Sequence, residues 1–132
     1  MIFKKLALAV ALSVAAITAT ASAGTSDKYQ QCLDDSNGIT VEMVNCMNAE
    51  ADRQDALLNM YYKKLIKNLE PEQAKSLKEA QRAWIKWRDA SSAFVATEGG
   101  TMAIVSSSSN YLDILVKRVE ELESYCKMYV YE

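Results

Sequence analysis

The sequence contains no histidine, and that absence removes more chemistry than any other. Without an imidazole there is no Ser-His-Asp or Cys-His nucleophilic site and none of the usual histidine metal ligands. Proline occurs once and glycine four times, so little interrupts a helix. No segment of useful length alternates apolar and polar residues as a strand would, and no internal repeat is visible. There is no Lys/Arg-rich block, which argues against nucleic acid as a partner. Carboxylates alone make a metal site only when clustered in a loop. Asp34-Asp35-Ser36-Asn37-Gly38 lacks the alternation and closing Glu of a calcium loop and reads as a turn. No metal and no cofactor is expected. Carboxylate pairs such as Glu79 with Asp89, or Glu120 with Glu123, are all that acid–base catalysis could use. Charges on helix surfaces are usually solvated, so the chain reads as a non-enzyme.

One long apolar run is present, at the N-terminus. Lys4 and Lys5 precede Leu6 to Thr18, which is too short to span a bilayer, and Ala21-Ser22-Ala23 has the small-x-small form of a cleavage site. These features describe a secretory signal peptide over residues 1–23, cut after Ala23. Gly24 rather than Cys at the next position argues against a lipid anchor. The expectation is one small periplasmic or secreted domain, residues 24–132, with no membrane anchor after cleavage. Without Lys4 and Lys5 it carries 13 basic residues against 17 acidic, a net charge of −4, which suits a basic protein partner.

Cys32, Cys46 and Cys126 remain in that domain. In an oxidising compartment three cysteines imply one disulfide and one leftover thiol. Cys32 and Cys46 close a short loop across the Asp34–Gly38 turn. Cys126 is free, pairs between molecules, or competes for either partner.

Tyr29 to Leu33 forms a short helical turn broken by 34–38. Thr40 is placed to cap a first long helix over Val41–Asn68, with an apolar stripe of Met43, Met47, Ala51, Leu58, Tyr62, Leu65 and Leu69. Pro71 suits the first turn of a second long helix reaching about Thr97. The short connection at 69–71 favours an antiparallel hairpin. Counting outward from it, Asn59 falls near Gln81 and Arg82, and Asp55 near Ile85 and Arg88. An Asp55–Arg88 ion pair and an Asn59 hydrogen bond across the hairpin are expected. Both tryptophans lie in 79–89, where Leu77, Ala80, Trp84 and Trp87 form a stripe at helical spacing. That stretch is either a core helix with satisfied charges at its edges or a recognition surface. Gly99-Gly100 breaks the chain again, and Thr101 caps a third long helix. It carries Ile104, Ser108, Tyr111, Leu112, Leu115, Val119, Leu122 and Cys126 at helical spacing, and the small residues Ser106 to Ser109 allow close approach to the hairpin. Residues 128–132 fray or pack. The fold class is all-α: an antiparallel helical hairpin plus a third long helix, with a short disulfide-tied N-terminal segment.

Several motifs together are more specific. Cys32, Cys46, Asp55-x-x-Leu58-Asn59-x-x-Tyr62-x-x-Leu65, Ala80-Gln81-Arg82-Ala83-Trp84-Ile85-x-x-Arg88-Asp89-Ala90 and Gly99-Gly100 resemble the LprI-like lysozyme-inhibitor family, over nearly all of residues 24–132. Arg118 matches an Arg of the family's late segment, although Leu115 stands where the family has Thr. Ser92 and Asn110 stand where the family has cysteines, which implies a lost bridge between the second and third long helices. The resemblance and the spacing together imply a Cys32–Cys46 disulfide with Cys126 unpaired. The resemblance also implies a small exported helical protein that binds a protein partner, lysozyme or another basic envelope hydrolase; a second reading is an interaction or immunity-type module for another envelope protein or toxin. Inhibition by occlusion of the enzyme's cleft would need no chemistry. The residues carried over as structural or binding positions are Asp55, Leu58, Asn59, Tyr62, Gln81, Arg82, Trp84, Arg88, Asp89, Gly99, Gly100 and Arg118. No oligomeric state follows from them.

Overall fold

The computed structural model describes residues 24–130; the expected signal peptide, residues 1–23, lies outside them, as do Tyr131 and Glu132. Four helices follow in order: α1 (Asp27–Asp35), α2 (Thr40–Asn68), α3 (Pro71–Ala96) and α4 (Gly100–Tyr129). Among the described residues there is no strand. The all-α hairpin with a third long helix and a tied N-terminal segment is therefore the fold.

The helix ends follow local chemistry, with some differences from expectation. Ser26 caps α1, its hydroxyl accepting from the Tyr29 N–H at 3.1 Å, so α1 begins before Tyr29 and runs past Leu33. Asn37 and Gly38 then take positive φ, making the turn that 34–38 suggested. Thr40 is not a cap. Ile39 occupies that position without a side-chain bond, and Thr40 is already helical. Pro71 opens α3 as expected. Gly99, at φ +74°, takes the cap position of α4, which leaves Thr101 inside the first turn rather than capping it.

The core is centred on α4. Leu115, Val119, Leu122 and Cys126 pack with Leu58 and Leu65 of α2, and Leu77, Trp84 and Tyr111 close around them. Both α2 and α3 pack chiefly on α4 and meet each other over only a short stretch. On α3 the inward positions are Ala74, Leu77, Gln81, Trp84 and Arg88, at 3,4,3,4 spacing. Ala80 and Trp87 fall off that stripe; Trp87 is 58% exposed, so only one of the two expected tryptophans serves the core. Ile104 is likewise exposed, and Ala103 takes the buried position beside it. Of residues 128–130, Val130 packs against the core while Met128 and Tyr129 are exposed.

The small residues of α4 do allow close approach. Ser107 donates to the Ser92 carbonyl at 3.1 Å and Asn110 to the Ser91 hydroxyl at 3.4 Å. Hydrogen bonds thus join α3 to α4 at the region where the resemblance implies a missing disulfide. The remaining disulfide joins Cys32 of α1 to Cys46 of α2, and Cys126 is free and buried, as expected. Burial pushes the Cys126 thiol up, and it donates to the Tyr61 carbonyl.

A polar network completes the attachment of the N-terminal segment. Glu50, 3% exposed, accepts from the Ser26 N–H at 3.1 Å and the Ser26 hydroxyl at 2.7 Å, and from Arg53 and Gln54. Arg53 and Gln54 also donate to the Gly24 carbonyl. Burial pushes the Glu50 carboxyl up, but the hydrogen bonds from Arg53, Ser26 and Gln54 outweigh it and hold it at about 2.

Candidate functional site

The short contact between α2 and α3 leaves a cleft of about 340 Å³ between them. Asp55, Leu58, Asn59 and Tyr62 line it from α2, and Lys78, Gln81, Arg82, Trp84, Ile85 and Arg88 from α3. Eight of the twelve motif residues therefore converge on one cavity. The spacing explains it: positions 55, 58, 59 and 62 share one face of α2, and 78, 81, 82, 85 and 88 share one face of α3. The hairpin count that placed Asn59 near Arg82 and Asp55 near Arg88 has the register right.

The bonds expected across the hairpin are not made. Asn59 turns back on its own helix, donating to the Asp55 carbonyl at 3.0 Å and the Asp55 carboxylate at 3.3 Å. Arg88 pairs instead with its neighbour Asp89 at 2.9 Å. Its guanidinium lies 5.2 Å from the Trp84 ring centroid and 5.0 Å from that of Tyr111 on α4. Two aromatic faces and an adjacent carboxylate draw it towards α4, while Asp55 sits exposed on α2 across the cleft.

Behind the cleft, Arg118 of α4 is 7% exposed and Gln81 6%. Arg118 donates through Nε to Gln81 Oε1 at 3.0 Å and through Nη1 to Glu121, and its guanidinium lies 5.8 Å from the Trp84 centroid. Nη2 is buried without a partner among the described residues. Gln81 is thus fixed from behind, with Arg118 acting through it. Gly99 and Gly100 are elsewhere, at the α3–α4 turn, where they line a separate cavity with Ile104 and Ser107.

Charge is unevenly distributed. The cleft is lined by Lys78, Arg82 and Arg88 and by the carboxylate of Asp55, with Arg88 already paired to Asp89. Lys78 and Arg82 are exposed and have no ion-pair partner among the described residues. Residues 59–90 carry eight basic side chains against four acidic, a net of +4. Residues 24–58 carry seven acidic against two basic, a net of −5. Of those seven, Asp27, Asp34, Asp35, Glu42, Asp52 and Asp55 are exposed, and Asp27, Asp34, Asp35 and Glu42 make α1 and the first turn of α2 an acidic end.

Sequence reading missed Lys78 as a cleft residue, Tyr111 as a partner of Arg88, and the Glu50 network. A signal for the network existed. The apolar stripe of α2 steps seven residues from Ala51 to Leu58, and Gln54, fully buried, occupies the gap. Among the described residues no cluster of three His, Cys, Asp or Glu could hold a metal ion, and no helix is long and apolar enough to cross a membrane.

Residues 32–122 match the family model described as Lysozyme inhibitor LprI. No curated protein and no solved structure matches the chain. The matched span begins at the first disulfide cysteine and takes in both walls of the cleft and Arg118. With most of its length inside that span, the chain belongs to the LprI family, a family of lysozyme inhibitors rather than of enzymes.

Proposed function

We propose that this chain is an exported, non-catalytic protein that inhibits a lysozyme-type muramidase by covering the enzyme's substrate cleft. The observation that carries the reading is the family match over residues 32–122. The N-terminal signal pattern and the disulfide between Cys32 and Cys46 support an oxidising compartment outside the cytoplasm. The acidic end supplies the means of encounter. Its exposed carboxylates attract a cationic enzyme and speed association, while the contacts made after docking set how long the complex lasts.

Titrating the purified protein into a muramidase turbidity assay tests this, with binding kinetics followed at low and high salt. Inhibition saturates at one inhibitor per enzyme, with no product made by the inhibitor itself. Raising salt shortens the Debye length from about 10 Å at 0.1 M to about 3 Å at 1 M, so association slows while dissociation changes less. Reversing the charges of Asp34, Asp35 and Glu42 together slows association about ten-fold at low salt. No binding to any muramidase at micromolar concentration in low salt overturns the proposal and favours a different envelope protein or toxin as partner.

A further inference from the structure

The charge of the motif cleft is opposite to what a basic enzyme requires. A cationic surface meets the acidic end favourably, but Lys78 and Arg82, which have no ion-pair partner among the described residues, would repel it. The cleft is therefore built for a different occupant, and its lining describes one. Leu58, Tyr62 and Ile85 give it apolar walls, while Asn59 and Gln81 offer amide donors and acceptors. Gln81 is held in one orientation by Arg118 from behind. At about 340 Å³ the space lies at the small end of ligand-site volumes, about the size for a single ring with substituents. The cations call for an oxyanion, which a guanidinium grips as a two-pronged fork. Asp55 decides its charge. A carboxylate at the same rim repels a dianion such as phosphate twice as strongly as a monoanion, yet it can accept hydrogen bonds from hydroxyl groups.

We propose that the α2–α3 cleft binds a sugar acid, a hydroxylated ring bearing one carboxylate, with Arg82 and Lys78 on the carboxylate and Asp55, Asn59 and Gln81 on its hydroxyl and amide groups. The glycan cut by a muramidase has such a sugar acid at every second position, and its carboxylate is free wherever no stem peptide is amide-linked to it. An inhibitor with this site recognises the enzyme through one end and the enzyme's substrate, or its fragments, through another.

N-acetylmuramic acid and its neutral counterpart N-acetylglucosamine are the probes. Each is titrated into the purified protein by calorimetry and by NMR shift mapping. The sugar acid binds saturably and shifts the signals of Gln81 and Arg82, and the neutral sugar binds about ten-fold more weakly or not at all. Arg82→Gln, an exposed substitution that leaves the melting temperature unchanged, weakens sugar-acid binding about ten-fold, as loss of one charge-assisted hydrogen bond requires. Co-sedimentation with insoluble peptidoglycan, lost in Arg82→Gln, assigns the ligand to the polymer. Binding of the free sugar acid without co-sedimentation assigns it to soluble fragments, and both results support the site. Equal affinity for the acid and neutral sugars overturns the proposal, as does tighter binding of inorganic phosphate. So does a loss of muramidase inhibition in Arg82→Gln with no sugar-acid binding in the parent, because the cleft's occupant is then an acidic side chain of the enzyme.

Discussion

Acidification destabilises this protein chiefly through Glu50. Its carboxylate is buried, receives hydrogen bonds from Ser26, Arg53 and Gln54, and is held at about 2 against an ordinary 4.5. A carboxyl depressed in the folded state stabilises it above the unfolded value, and that contribution is lost as protons bind. The window is therefore pH 4.5 down to about 2. At about 1.4 kcal/mol for each tenfold change in proton affinity, the carboxylate is worth about 3 kcal/mol at neutral pH. Glu121 is also lowered: burial pushes it up, and hydrogen bonds from Tyr125 and Arg118 pull it down. Its side chain is largely exposed, so its share is smaller. Comparing the parent with Glu50→Gln isolates the buried group. Urea unfolding followed by helical circular dichroism, repeated at steps from pH 7 to pH 2, gives both curves. At pH 7 the variant is less stable by about 3 kcal/mol, and the two curves converge as pH approaches 2. Parallel curves across that window would refute the argument, because Glu50 would then titrate alike in folded and unfolded chains.

Two further predictions concern the core and the covalent frame. Trp84→Ala costs about 3 kcal/mol, because the ring packs against the core and supports the Arg88 and Arg118 guanidinium groups, whereas Trp87→Ala changes stability by less than about 1 kcal/mol; thermal melts of the two variants decide it. Reducing the Cys32–Cys46 disulfide costs about 3 kcal/mol, as closure of a loop of this length requires, and leaves the buried Cys126 slow to alkylate until the chain unfolds; denaturant titration with mass-spectrometric thiol counting reads both.

The sequence alone determined the helices, because helix signals are local. The breaks read at Asp34–Gly38, Pro71 and Gly99-Gly100 fall where the structure breaks, although α1 runs on to Asp35, and apolar spacing identifies the faces of α2 and α4 that meet. Hairpin counting from the turn at 69–71 also brought the Asp55 and Asn59 face opposite Arg82 and Arg88, since register along two helices follows from rise per residue. What tertiary structure decided was which neighbour each side chain takes. A helix position advances by about 100°, so a stripe read as Leu77, Ala80, Trp84, Trp87 differs by a single residue at two of its steps from the inward stripe that buries Gln81 and exposes Trp87. Gln81 is tolerated inside because Arg118, 37 residues away, reaches it. Glu50 is tolerated because Ser26, 24 residues away, donates to it. Arg88 leaves Asp55 for Trp84 and Tyr111 because α4 supplies an aromatic surface that no hairpin count contains. Buried polar groups need partners that only the assembled helices provide, and those partners hold the walls of the cleft in place.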